Sequence, residues 1–138
     1  MATYWMVLMA LIFCGYAVAF IRKGKVGMAM PDRRRELSVA AAPEEAFAAI
    51  LHIAAPFGID DSDPKMLVII IQKPVALFGG WGFFFPVFIA PAPGGGSQIT
   101  VGCTSKVFQM GPLVTRAHNK CVDAIEATLA VAPARAVV

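Results

Sequence analysis

An uncharged segment near the N-terminus constrains this chain more than any other feature. Residues Thr3–Ile21 contain no charged side chain, and Arg22, Lys23 and Lys25 follow it directly. A helix rises about 1.5 Å per residue, so this segment would reach about 28 Å, close to the roughly 30 Å hydrocarbon core of a bilayer. The pattern predicts a transmembrane helix over residues 1–21.

A secretory signal peptide is the main alternative for this segment. Ala17-Val18-Ala19 has the small-x-small pattern of a cleavage site. Against that interpretation, Met1–Thr3 carries no basic side chain, and the apolar run is longer than the core of an ordinary signal. We therefore expect an uncleaved anchor.

Basic residues collect directly after the apolar segment. Residues 22–35 hold six basic side chains and one acidic one, whereas residues 36–138 hold six basic and eight acidic ones. The positive-inside rule then predicts an inner (cytoplasmic) membrane location, with the N-terminus outside and the C-terminal domain in the cytoplasm. The residues expected to meet lipid head groups are Arg22, Lys23, Lys25, Arg33, Arg34 and Arg35.

The rest of the chain is organised as a linker, one domain and a tail. Residues 22–34 form a basic juxtamembrane linker, residues 35–131 a small cytoplasmic domain, and residues 132–138 a tail. About 100 residues are enough for one compact domain. The domain has no basic patch with interleaved aromatic residues, so nucleic acid is not expected as a partner.

The domain opens with a strand and a helix. The strand is predicted over Arg35–Ala40, and the helix begins at Pro43, a residue type suited to the first helical position. Two glutamates in the first turn complement the helix dipole. Apolar residues at helical spacing predict one buried face, and Pro56 ends the helix. That face consists of Phe47, Ile50, Leu51 and Ala54.

Three longer strands and a final helix follow. Turn-forming residues separate the strands, and the last strand alternates apolar and polar side chains. The strands are predicted at Met66–Gln72, Phe83–Ala90 and Gln98–Ser105, with turns at Asp60–Pro64 and Pro91–Gly96. A helix over residues 112–130 buries a stripe of Leu113, Ala117, Cys121, Ala124, Ile125 and Thr128. The fold class is therefore α+β: a small antiparallel sheet packed by two helices, behind a single transmembrane helix.

Two of these strands are apolar on both faces, although the helices cover only one. An uncovered apolar face usually marks a contact with a protein or a membrane. The predicted partner interface consists of Phe78, Trp81, Phe83, Phe84 and Phe85. An alternative remains for residues 75–92, which are uncharged and long enough for a second, short membrane segment.

The order of elements resembles a known superfamily. The segments RRRELSVAAAPEEAFAAIL, PAPGGGSQITV and LVTRAHNKCVDAIEATLA are similar to the opening strand and helix, a hairpin and the closing helix of START/Bet v 1-like (SRPBCC, polyketide-cyclase-like) domains. The resemblance implies a helix-grip fold, often with an apolar ligand cavity between the sheet and the last helix. It transfers no catalytic residue, and this chain is shorter than the family by several strands.

No constellation of residues predicts catalysis, a metal or a cofactor. His52 and His118 have no Cys, Asp or Glu partner at ligand spacing, and Cys103 and Cys121 are expected to be buried thiols. The glycines of residues 94–96 lack the Lys-Ser/Thr and the helix that a phosphate-binding loop requires. We therefore expect no catalytic, metal or cofactor residues.

These observations lead to a structural hypothesis for function. The chain is predicted to be a non-enzymatic, single-pass accessory subunit that stabilises a larger membrane complex, such as a respiratory or photosynthetic one. Its partners would be integral membrane subunits and the lipid bilayer. The alternative is a membrane-tethered module that binds a lipid or another small apolar ligand. A small enzyme of the same superfamily is a third, less favoured hypothesis.

Overall fold

The computed structural model describes residues 1–21, 24–74, 82–106 and 111–136. Side chains are described as far as Val18 in the first helix and Ala130 in the last. The helices and strands within those ranges are α1 (Ala2–Ile21), β1 (Arg34–Val39), α2 (Pro43–Ile50), β2 (Gly58–Asp63), β3 (Val68–Lys73), β4 (Phe83–Pro91), β5 (Ser97–Gly102), β6 (Thr104–Ser105) and α3 (Pro112–Ala136).

The strands form one antiparallel sheet. Its order is β1-β5-β4-β3-β2, and the short β6 pairs with β4. The first strand therefore lies beside the fifth, with Leu37 opposite Ile99. In the middle of the sheet, Ile71 of β3 lies opposite Phe85 of β4. The predicted α+β class, an antiparallel sheet with packing helices, is confirmed.

The helix α2 begins as predicted and ends early. Pro43 occupies the first turn, and the helix buries Ala46, Phe47 and Ile50 against the sheet. The helix stops at Ile50, so Ala54 lies outside it and is exposed. Phe47 and Ile50 are buried as predicted and Leu51 packs at the edge of the core, whereas Ala54 is exposed because the helix ends well before Pro56.

The long helix α3 covers the same face of the sheet as α2. It continues to Ala136, beyond the predicted end at residue 130. Leu113, predicted to face inward, is 46% exposed, and the neighbouring Val114 takes the buried position. The buried side chains of α3 are Val114, Ala117, His118, Cys121, Val122, Ile125 and Leu129.

The acidic segment that was predicted as a turn forms the edge strand β2. Asp60 and Asp61 lie within this strand, and the register shifts between Ile59 and Asp61 as in a β-bulge. Charged residues and bulges are common at sheet edges, where they discourage pairing with other chains. The turn itself begins at Pro64.

A segment between α1 and β1 covers the outer face of the sheet, opposite the helices. This segment, Gly24–Pro31, is called the strap below. Its Val26 and Met28 pack on a small cluster of buried residues, Val68, Ile70 and Phe84. The apolar outer face is therefore covered by a part of the same chain that the sequence had suggested to be a plain linker.

The alternative of a second membrane segment over residues 75–92 is answered in part. From Phe83 onward this region is strand β4, which pairs with β3 on one side and with β5 on the other. A backbone that forms two ladders of hydrogen bonds with neighbouring strands is a strand and cannot also be a membrane helix. Residues 75–81 lie outside the described residues.

The predicted membrane topology requires a correction. In the described part of the chain, no helix is both long enough and apolar enough to cross a membrane. The transmembrane assignment of residues 1–21 is therefore wrong. The single-pass topology, the inner-membrane location and the membrane-anchored accessory subunit that depended on it are overturned as well.

Candidate functional site

The candidate site is the apolar layer between α3 and the inner face of the sheet, the face that meets both helices. Alternate residues of the central strands supply one wall, because successive side chains of a strand point to opposite faces. Fully buried members of this wall are Ile69, Ile71, Phe83, Phe85, Val87, Ile99 and Val101. The stripe of α3 supplies the opposite wall, and Phe47 and Ile50 of α2 close one side.

Three aromatic rings form the centre of this layer. The centroids of Phe57 and Phe85 are 5.8 Å apart at an interplanar angle of 75°, an edge-to-face contact. The rings of Phe83 and Phe85 are stacked at 6.1 Å and 29°. Both geometries are favourable for aromatic pairs and add to the free energy of burying the rings. The layer is thus lined by flat, apolar surfaces.

A single histidine reaches the layer from α3. The Nε2 atom of His118 lies 2.9 Å from the carbonyl oxygen of Val101, and the side chain is almost fully buried. A carbonyl oxygen only accepts hydrogen bonds, so Nε2 must carry the hydrogen. Burial lowers the pKa of His118, the bond to Val101 opposes that effect, and the positive charges of Arg35 and Arg33 lower it further. His118 is therefore a neutral anchor of α3.

Two thiols lie in the same layer. Cys103 and Cys121 are both buried and free, as expected from the sequence. Burial raises the pKa of Cys103 to about 12, and the nearby Arg33 only partly opposes this. Burial also raises the pKa of Cys121, and Cys103 adds to that increase. Because the thiolate is the reactive form, these thiols are inert packing groups rather than nucleophiles.

The outer face of the sheet is closed by the strap and by one lysine. The backbone N–H groups of Gly24 and Val26 donate to the carboxylates of Asp60 and Asp61, each at 2.8 Å. Lys106 Nζ donates to Gln72 Oε1 at 2.8 Å and lies 5.2 Å from the centroid of the Phe84 ring. Burial lowers the pKa of Lys106, and the charge of Asp60 opposes the shift.

The structure describes three of the five residues of the predicted partner interface. Phe83 and Phe85 belong to the inner layer, and Phe84 belongs to the cluster under the strap; all three are fully buried. These rings are therefore part of the protein's own packing. Phe78 and Trp81 lie outside the described residues, so their share of the predicted interface stays a prediction.

The predicted head-group residues have several different environments. Arg22 and Lys23 lie outside the described residues, and Lys25 is an exposed residue of the strap. Arg33 Nη1 donates to Thr115 Oγ1 and Arg35 Nη1 donates to Asn119 Oδ1, each at 2.9 Å. The neighbouring Arg34 is exposed.

Sequence analysis did not predict the hydrogen bonds between β1 and α3, or those that hold the strap to β2. The contact between β1 and α3 had a signal, because Arg33 and Arg35 share the strand face of the inward Leu37. The anchoring of the strap by Asp60 and Asp61 had none, since hydrogen bonds to backbone N–H groups leave no pattern in the sequence.

Potential metal ligands do not cluster in the part of the chain that the structure describes. There, no group of three or more His, Cys, Asp or Glu side chains could hold a metal ion. Asp63 instead accepts hydrogen bonds from the backbone N–H groups of Lys65 and Met66, which stabilises the turn after β2. The expectations of a non-enzymatic protein and of protein partners both stay predictions.

Comparison with known proteins finds similarity in structure but not in sequence. No family model matches the chain, and no curated protein matches it. Ara h 8.0201 is similar with a TM-score of 0.56 at 13% identity, over 73% of this chain and 96% of its own. TTHA0849 from Thermus thermophilus is similar with a TM-score of 0.50 at 14% identity, over 78% of this chain and 100% of its own.

A third structure is more distant. The Zhui aromatase/cyclase from Streptomyces sp. R1128 has a TM-score of 0.44 at 11% identity, over 79% of this chain and 92% of its own. At such identities a structural likeness describes the fold alone. The resemblance expected from the sequence is confirmed at that level: the described residues from β1 to α3 adopt a helix-grip fold of the Bet v 1-like type, with a long closing helix over an antiparallel sheet.

Proposed function

We propose that the chain is a binding module for a small apolar molecule, which it holds between α3 and the inner face of the sheet. The observation that carries the proposal is the composition of that layer. Its walls are apolar along the central strands, and its described polar groups are few. Ligand sites of this kind are mostly apolar with a small number of placed polar groups. The Bet v 1-like fold supports the proposal by analogy only.

Side chains fill this layer, so the ligand takes the place of contacts between α3 and the sheet. Replacing one set of apolar contacts by another costs little free energy, because the same apolar area stays away from water. The helix α3 follows Gly111, whose φ of +82° is a conformation that favours glycine. In this proposal Gly111 is the hinge about which α3 moves outward to admit the ligand.

The test is a titration of the full chain with the fluorescent apolar probe N-phenyl-1-naphthylamine. Ala117 is buried where α3 meets the layer, and Ala127 is exposed on the same helix. We expect saturable binding that Ala117→Phe weakens by at least about tenfold, since the ring fills the site, and that Ala127→Phe leaves unchanged. Equal binding by the wild type and Ala117→Phe would assign the signal to exposed apolar surface elsewhere and overturn the proposal.

A second variant keeps the test decisive if Ala117→Phe does not fold. Ile125 is fully buried in the layer, and Ile125→Ala opens space there. Cavities lined by apolar side chains bind apolar molecules. We expect Ile125→Ala to tighten probe binding by at least about threefold. An unchanged affinity would place the probe outside this layer and contradict the proposed site.

A further inference from the structure

A shallow groove, widely open to solvent and lined by residues of α3 alone, runs along the solvent-facing side of the N-terminal half of that helix. It has a volume of about 600 Å³. Thr115, Arg116, Asn119 and Lys120 line it, together with Pro112 and Asp123. This groove lies on the opposite side of α3 from the apolar layer, because the residues at its centre are exposed while Ala117 and Cys121 are buried.

Cationic side chains lie in and beside this groove. Arg116 and Lys120 of α3 line it, while Arg33, directly before β1, and Arg35, within β1, donate hydrogen bonds to two of its lining residues. The guanidinium groups of these two arginines are held against the groove by bonds of 2.9 Å to the Thr115 hydroxyl and the Asn119 amide oxygen. Both acceptors are neutral, so these bonds fix the two positive charges without neutralising them.

Two titratable neighbours respond to this positive potential. The pKa of His118, on the buried side of the same helix, is lowered by burial and further by Arg35 and Arg33. The pKa of Lys73, at the end of β3, is lowered by burial and further by Lys120. Positive charges on both flanks of α3 therefore lower the pKa values of neighbouring side chains, even though the acidic Asp123 also lines the groove.

We propose that this groove binds a small molecule that carries two or more negative charges on phosphate or carboxylate oxygens. Arginine presents a rigid fork of N–H donors that matches the oxygens of these groups, and the two forks here are already oriented. Arg33 directly precedes β1 and continues its pairing, because the Cys103 N–H donates to the Arg33 carbonyl. The α-carbons of Arg33 and Arg35 therefore lie roughly 7 Å apart. That separation suits an anion with charges at two positions better than a monovalent ion.

This site uses other residues than the proposed apolar-ligand site. Each proposal is tested by variants of its own residues, Ala117 and Ile125 for the apolar layer and Arg33 and Arg35 for the groove, so the failure of one can be told from the failure of the other.

The test measures binding of inorganic pyrophosphate and of citrate to the full chain by calorimetry at constant ionic strength. The variant Arg33→Gln/Arg35→Gln removes both fixed charges. Arg34→Gln is the matched control, because it lies between them on the strand and its side chain points to the other face. We expect the double variant to weaken binding by at least about tenfold and Arg34→Gln by less than about twofold.

His118 provides a readout that general charge attraction would not give. An anion bound between Arg33 and Arg35 offsets their effect, so we expect the pKa of His118, followed by NMR, to rise on saturation. Lys120→Gln, an exposed substitution, is expected to weaken binding by at least about threefold if the double variant does not fold. Preference for pyrophosphate or for citrate distinguishes the phosphate from the carboxylate source. Absence of binding of either anion, or an equal loss in Arg34→Gln, would overturn the proposal.

Discussion

At the scale of single residues, a few buried polar side chains fix the closing helix and the end of the sheet. His118 bonds the Val101 carbonyl, and the buried Ser97 donates its hydroxyl hydrogen to the Ala41 carbonyl at 2.7 Å. An unmade hydrogen bond in an interior costs about 1–3 kcal/mol. Apolar contacts alone would allow α3 to slide, whereas the His118 bond is satisfied at one position. This bond therefore specifies how α3 is placed over β5.

Stability should depend on pH through His118. Burial lowers its pKa in the folded protein, and Arg35 and Arg33 lower it further. Below the unfolded pKa, about 6.5, the unfolded chain therefore binds more protons than the folded one. The contribution of the neutral, buried His118 to the free energy of unfolding is therefore complete at pH values above the unfolded pKa. It is lost as the pH falls from the unfolded pKa towards the folded pKa. We expect urea unfolding to show a lower free energy at about pH 5.5 than at about pH 7.5.

Two variants separate His118 from the other titrating groups. His118→Gln keeps a donor but does not titrate, so we expect a smaller decrease in its unfolding free energy between the two pH values. His52→Gln removes an exposed histidine outside the helices and should retain the wild-type decrease. An identical pH dependence in His118→Gln and the wild type would contradict this account.

At the scale of elements, the strap is the unusual feature. Most sheets with helices on one face leave the other to water, but here the outer face is apolar and a segment of the same chain covers it. Gly24 approaches the sheet so closely that an added Cβ would overlap the side chain of Ile70. Gly102 likewise leaves no room for a Cβ beside Met30 and Pro31, where the gap is 2.7 Å. Gly24 at the start of the strap and Gly102 of β5 beneath its end allow the strap to lie flat on the sheet.

Removal of the carboxylates that hold the strap should release it. In Asp60→Ala/Asp61→Ala, the N–H groups of Gly24 and Val26 lose their acceptors, and hydrogen bonds to charged groups contribute about 1.5–3 kcal/mol each. We expect hydrogen–deuterium exchange of these two amides to accelerate by at least about tenfold, and trypsin to cleave faster after Lys25.

The control is Asp63→Ala, which removes the acid that stabilises the turn after β2. This variant should lower stability modestly and leave exchange at Gly24 and Val26 unchanged, because Asp63 bonds only residues of its own turn in the described structure. Accelerated exchange in Asp63→Ala alone would show that the strap depends on the turn rather than on the two carboxylates.

The elements that sequence analysis placed correctly are those with a regular alternation of apolar and polar residues or with a clear signal for the start of a helix. Pro43 and the glutamates after it indicated the start of α2, and the alternation of Gln98–Ser105 predicted a single strand, which the structure divides into β5 and β6. The errors occurred where tertiary contacts override local pattern. The acids of β2 look like a turn until the strap supplies their hydrogen-bond donors, and Leu113 is replaced by Val114 because the approach angle of α3 is not encoded in its spacing.

At the scale of the whole molecule, α1 and the strap contribute differently to stability. The apolar side chains of α1 are largely exposed, with Trp5 65% and Phe13 67% accessible. The strap, in contrast, buries Val68, Ile70 and Phe84. The stability of the helix-grip domain should therefore depend on the strap and not on α1.

Two truncations test this difference. Removal of residues 1–21 should leave the thermal unfolding midpoint of the domain nearly unchanged. Removal of residues 1–31 uncovers the outer cluster and leaves Asp60 and Asp61 without their N–H donors, so it should cost about 2–5 kcal/mol. Differential scanning calorimetry of both truncations measures the effect. Equal midpoints for the two would show that the strap contributes nothing.

The candidate site was only partly predictable from the sequence. The apolar layer could be predicted from the stripe of α3 and the strand patterns, because buried apolar residues recur at the period of a helix or a strand. The apolar outer face was recognised, but its cover was assigned to a partner because a short Gly- and Pro-containing segment has no periodic signal. The proposed anion site on α3 depends on two arginines whose hydrogen bonds cross from residue 33 to 115 and from 35 to 119. Strand alternation places both arginines on the face of Leu37, but their partners at such separation are set by the fold.

The position of β1 beside β5 has a consequence for how the protein is made. On the ribosome, the opening strand emerges early but must wait for residues 97–102 before its neighbour exists. Phe83 and Phe85 of β4 stay uncovered still longer, until α3 leaves the exit tunnel. Folding of this domain is therefore a late event in translation. A nascent chain that stalled before α3 emerged would expose the apolar inner face of the sheet to chaperones.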